Sequence, residues 1–132
     1  MKLLTKGEIL AADDNMTEDV EVPEWGGTVR VKGLSGKDRD RFETTIFKSG
    51  GKGKTDGDFS NMRARLVTLT VVNDKNVRIF SFDDAVKLGR KSALALDKVF
   101  AVAQRLSGLR KEDVDKIQKN LKEDPKDNSI SD

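Results

Sequence analysis

The chain has 132 residues, 36% apolar and 36% charged, with 25 Lys+Arg against 23 Asp+Glu for a net charge of +2. That is one domain's worth of sequence, able to bury about two thirds of its unfolded surface and too evenly charged to mark a nucleic-acid binder by charge alone. It contains no cysteine and no histidine, which excludes disulfides, thiolate and imidazole metal ligands, Ser-His and Cys-His nucleophile pairs and a near-neutral proton shuttle.

In chain order, the first element is a short helix over 6–12. Thr5 and Glu8 have the spacing of a capping box, Leu4 and Ile9 that of a hydrophobic staple, and Asp13-Asp14-Asn15 end the helix. A hairpin follows over about 19–32. Val20 and Val22 alternate with acids, Val29 and Val31 with Thr28, Arg30 and Lys32, and Gly26-Gly27 lies between the runs. Pro23 cannot donate to a ladder, so the first strand is an edge or breaks there. Glu21 opposite Arg30 or Lys32 would add a cross-strand pair.

Ser35 starts a helix whose apolar stripe is Phe42, Ile46 and Phe47 and which ends near Lys48-Ser49-Gly50. The stretch 48–59, with four glycines and three lysines, reads as a flexible loop. Met62, Leu66 and Leu69 recur at helical spacing, whereas the β-branched run Val67–Val72 favours strand; the balance predicts a helix over 60–72. A turn at Asn73–Asn76 and a short strand at Val77–Phe80 come next. Ser81 caps a helix that opens with Asp83 and Asp84 at the positive end of its dipole and stops at Gly89.

Ser92 opens the most apolar stretch, a central helix over about 92–107 ended by Gly108. Its apolar residues lie nearly all round, which fits burial on most sides or one face on the core and another on a partner. Val114, Ile117 and Leu121 mark an amphipathic helix, and 123–132 reads as a disordered tail. The fold class is α+β and mainly helical: four to five helices around the 92–107 helix, with one N-terminal hairpin. Residues 1–122 form a single domain.

No motif carries catalytic or cofactor chemistry. Gly53-Lys54-Thr55 ends like a phosphate-binding loop, but Lys48 stands where the first glycine is required, and a helix rather than a strand precedes it. Asp56 and Asp58 open like a calcium loop, but Asn61 and Val67 replace its glycine and glutamate. The pairs Asp13/Asp14 and Asp83/Asp84 are explained as helix-end residues. No apolar run approaches a membrane span of about 18 residues, and Met1–Leu10 lacks the apolar stretch of a signal peptide. The expected protein is soluble, intracellular, not an enzyme, and without cofactor or metal.

Candidate contact residues are few. Lys48, Lys52, Lys54, Arg63 and Arg65 form a basic set, but Phe59 is the only aromatic among them, and single-strand binders use several stacking platforms. Trp25, in Pro-Glu-Trp-Gly-Gly, is a cap over the core or an anchor for a partner. Leu96 and Phe100 are core residues or an interface face of the central helix. Residues 7–24 hold seven acids and no base, and residues 25–65 hold ten bases and five acids. This polarity reads as two solvated faces or as complementary patches between copies.

Three segments carry a family resemblance: Val20-Glu21-Val22-Pro23-Glu24-Trp25-Gly26-Gly27-Thr28-Val29-Arg30-Val31-Lys32-Gly33-Leu34 followed by Arg39-Asp40-Arg41-Phe42-Glu43, then Arg63-Ala64-Arg65-Leu66-Val67, then the run from Asp97 to Leu109. In this order they resemble tail assembly chaperones of long-tailed bacteriophages and prophages, over roughly residues 5–121. The resemblance implies a non-enzymatic protein of the bacterial host cytoplasm, absent from the mature virion. Such a chaperone coats the tape-measure protein, keeps it soluble and recruits tail-tube subunits. It also implies a longer product made by ribosomal frameshift near the end of the gene. Partner contact is expected through Trp25, Arg63, Arg65, Leu96 and Phe100, with self-association into open spirals. The competing reading is a small nucleic-acid-binding regulator of a phage or prophage.

Overall fold

The computed structural model describes residues 1–50 and 61–109, with backbone only for 46–50. It is α+β and mainly helical. Helix α1 spans Lys6–Ala11, strand β1 Thr17–Val22 and strand β2 Gly27–Lys32, with a single 3-10 turn at Pro23–Trp25 between the strands. Helix α2 spans Gly36–Gly50, α3 Met62–Thr70, and β3 is the two-residue strand Val71–Val72. A 3-10 turn at Phe82–Asp84 leads into α4, Ala85–Leu88, and α5 spans Ala93–Leu106. The expected helix over Val114–Leu121, the tail 123–132 and most of the loop 48–59 lie outside the described residues. The first three residues of that loop belong to α2.

Local hydrogen bonding sets most boundaries. At α1 the Thr5 hydroxyl accepts from the Glu8 amide at 3.2 Å, and Glu8 Oε1 accepts from the Thr5 amide at 2.9 Å, the reciprocal capping box. Ser35 Oγ accepts from the Asp38 amide at 3.1 Å, and Ser92 Oγ from the Ala95 amide at 3.3 Å. Ser81 and Asp84 form a second capping box. The staple expected at α1 is not buried: Leu4 and Ile9 are each 56% exposed.

The sheet is antiparallel, in the order β1-β2-β3, so β1 is an edge. Its register corrects one expectation. Val22 pairs with Gly27 and Glu21 with Thr28, so Arg30 faces Asp19 rather than Glu21. The cause is the turn, which occupies Pro23–Gly26 instead of centring on Gly26-Gly27. Gly26 closes it at φ 77°, a left-handed conformation that side chains disfavour.

The ambiguous run at 60–72 divides in two. Helix α3 continues to Thr70, with both buried threonines satisfied by back-bonding: Thr68 Oγ1 donates to the Arg65 carbonyl at 2.7 Å, and Thr70 Oγ1 to the Leu66 carbonyl at 2.9 Å. Val71 and Val72 then leave the helix and pair with Val31 and Arg30. The strand expected at Val77–Phe80 is reduced to an isolated bridge between Arg78 and Val72. The Asn73 side chain accepts from the amides of Lys75 and Val77, which closes a turn, and the chain then leaves toward the Ser81 cap.

Two helices carry the core. Seven of the nine residues of α3 are buried, making it the most enclosed helix described. Helix α5 packs on α3 and across β1 and β2. It buries Ala95, Leu96, Val99, Phe100 and Ala103 on one face and leaves Leu94 64% exposed on the other. Val22, Val31, Phe42, Met62, Leu66, Val67 and Leu109 complete the centre, each contributing about 1.5–3 kcal/mol relative to exposure. The β2–α2 junction is clasped to the end of α5. The Leu34 amide donates to Ser107 Oγ at 3.0 Å, and Gly33 lies so close to the Leu106 carbonyl that a Cβ there would overlap it.

Candidate functional site

Among the described residues, an apolar groove of about 410 Å³ lies beside the hairpin turn. Trp25, Ile79, Phe80 and Leu88 form its walls, and Asp84, Lys87 and Lys91 its charged rim. Each element delivers one part. The 3-10 turn after β1 presents Trp25, the segment leading from the Asn73 turn presents Ile79 and Phe80, and α4 contributes Leu88 with Lys87. Lys91 also borders a second, more polar groove of about 240 Å³, lined by Arg63, Ala64, Gly89, Ala93, Leu96 and Asp97.

The candidate contact residues occupy different depths. Trp25 is half-buried against the core while lining the first groove. Its Nε1–H is buried and finds no acceptor among the described residues. Arg63 is more than half exposed; its Nε forms an ion pair with Asp97 Oδ1 at 3.0 Å, and its guanidinium carbon lies 5.7 Å from the centroid of the Phe100 ring, a cation–π arrangement. Leu96 and Phe100 are buried in the core, with Leu96 also reaching the second groove. Arg65 is half-buried on α3 and lines neither groove. Sequence reasoning missed Ile79, Leu88, Lys87 and Lys91; the i,i+4 spacing of the two lysines was the one local signal available.

The acidic stretch is largely engaged within the fold. Glu18 accepts from Arg105 at 2.7 Å, Asp19 from Arg30 at 2.9 Å and Glu24 from Lys98 at 3.1 Å, which ties β1 and its turn to β2 and α5. Arg30 holds the Asp19 carboxyl below its ordinary value of 3.8. The Glu24 carboxyl is held below 4.5, first by its own backbone N–H and then by Lys98. Groups held low in the fold stabilise it above the ordinary carboxylate range and lose that contribution as pH falls through their folded values. The melting temperature is therefore expected to be flat above pH 4.5 and to fall below it. Arg30→Gln should shrink that acid fall in a calorimetric pH series. Because these carboxylates are exposed, the change is small.

Among the described residues no group of three or more acidic side chains is placed to hold a metal ion, and no helix is long and apolar enough to cross a membrane. Lys91 joins the two grooves, whose rims carry Lys87 and Arg63 beside the acids Asp84 and Asp97.

No curated protein matches this chain. Among solved structures, the tail assembly chaperone of bacteriophage HK97 is similar in fold, with a TM-score of 0.55 over 76% of this chain and 94% of that one, at 16% sequence identity. The sequence pattern of the phage tail assembly chaperones matches residues 5–120, most of the chain, and the chain belongs to that family.

Proposed function

We propose that this protein binds the phage tape-measure protein, keeps it soluble and helps recruit tail-tube subunits as the tail assembles in the host cytoplasm. It leaves before the virion is complete and performs no catalysis. The observation that carries this reading is family membership across residues 5–120. The two adjoining grooves add to it, since a long helical client needs a surface with apolar walls and charged rims.

Trp25 and Arg63 supply accessible contacts, with Leu96 and Phe100 supporting Arg63 from beneath and Arg65 flanking them on α3. Copies of the chain associate along the client as an open spiral. A longer frameshifted product, joined near Gln118–Asn120 or Pro125–Lys126, belongs to the same reading.

Co-expression with the tape-measure protein tests it. The chain should raise the soluble fraction of that client and co-purify with it, and Trp25→Ala should weaken binding by roughly thirtyfold or more, as loss of a central aromatic anchor does. A client equally insoluble with and without the chain would refute the proposal.

A further inference from the structure

Among the described residues, helix α1 is packed against no part of the core. None of its residues is buried, and Leu3, Leu4, Ile9, Leu10 and Met16 are all more than half exposed. Two turns of isolated helix are marginal in water, yet this one has a full capping box and a Lys2–Glu8 ion pair of 2.6 Å. It is a pre-ordered apolar segment without a seat. The same fold offers a seat without an occupant: the Trp25–Leu88 groove, where Ile79 is 54% exposed.

Charge and position match the two. Asp13 and Asp14, just past α1, are exposed and make no ion pair among the described residues. Lys87 and Lys91 stand on the groove rim with no ion pair among the described residues, while Asp84 is already engaged by Ser81. The two sites lie at opposite ends of the hairpin. β1 begins at Thr17 beside α1 and ends at Val22 beside the Trp25 turn, about 20 Å away for a strand of this length. Seat and segment are different patches at opposite ends of the hairpin, so their pairing between copies is heterologous, and it propagates when the rotation does not close.

We infer that α1 of one copy docks in the Trp25–Leu88 groove of the next, its apolar residues against Ile79 and Trp25 and its acids toward Lys87 and Lys91. This rests on the self-association proposed above and supplies its contact.

Sedimentation velocity of the full chain at low salt, across a wide concentration range, tests it. An arm variant carries Ile9→Asp and Leu10→Asp; a groove variant carries Ile79→Asp and Lys91→Glu. All four positions are exposed, and thermal melting checks that both variants fold. The parent should grow with concentration, and each variant alone should associate roughly tenfold or more weakly. An equimolar mixture should form a one-to-one complex and stop, because it has one intact arm and one intact groove to join. A parent that stays monomeric throughout overturns self-association itself. A parent that associates while both variants do so equally well, or a mixture that stays monomeric, overturns this contact alone.

Discussion

Leu96→Ala should lower the free energy of unfolding by about 2–5 kcal/mol, and Phe100→Ala by about 3–5 kcal/mol. Both side chains are buried on the inner face of α5, at 6% and 8% exposure. Truncation removes their transfer free energy and leaves a cavity against α3, whose buried residues have little freedom to close it. For a domain of this size each kcal/mol corresponds to about 3–4 °C in melting temperature, so calorimetry or urea titration resolves the effect. Phe100→Ala also removes the ring beneath Arg63. Unchanged stability with lost client binding would make this face an interface rather than core.

The second large effect is expected at the clasp. Gly33→Ala places a methyl group against the Leu106 carbonyl, and backbone atoms cannot swing aside as a flexible side chain would. The strand must move off α5, at a cost of about 1–3 kcal/mol. Ser107→Ala acts on the same junction by another route, leaving the Leu34 amide without its acceptor in a buried position, also at about 1–3 kcal/mol. The two sites share one junction, so the double variant should cost less than the sum. Denaturation of the two single variants and the double variant measures this directly.

Features governed by neighbours in the chain were legible in the sequence. The caps at Thr5, Ser35, Ser81 and Ser92 rest on groups three residues apart, and each is present. The hairpin was legible from its alternation, but its register was not. Pro23 opened a 3-10 turn that displaced the apex, and Asp19 rather than Glu21 met Arg30. The run at 60–72 mixed helical spacing with β-branched residues because it serves both states, and the switch after Thr70 depends on pairing with Val31 and Arg30, distant in sequence. Trp25 was visible as an unusual residue in a turn. Its groove was not, since Ile79, Leu88 and the two lysines come from segments brought to the hairpin only by tertiary packing.

The clasp between Leu34 and Ser107 joins residues 73 positions apart, and that separation matters while the chain is being made. A ribosome adding about 5–20 residues per second takes roughly 4–15 s to deliver Ser107 after Leu34. During that interval the hairpin has emerged, but helix α5, which covers its inner face, has not. Val20, Val22, Val29 and Val31 then present a bare apolar sheet face with an open edge at β1, the kind of surface that pairs with other chains. A member of a chaperone family is thus itself an aggregation-prone species while it is being made, until its last described helix is released.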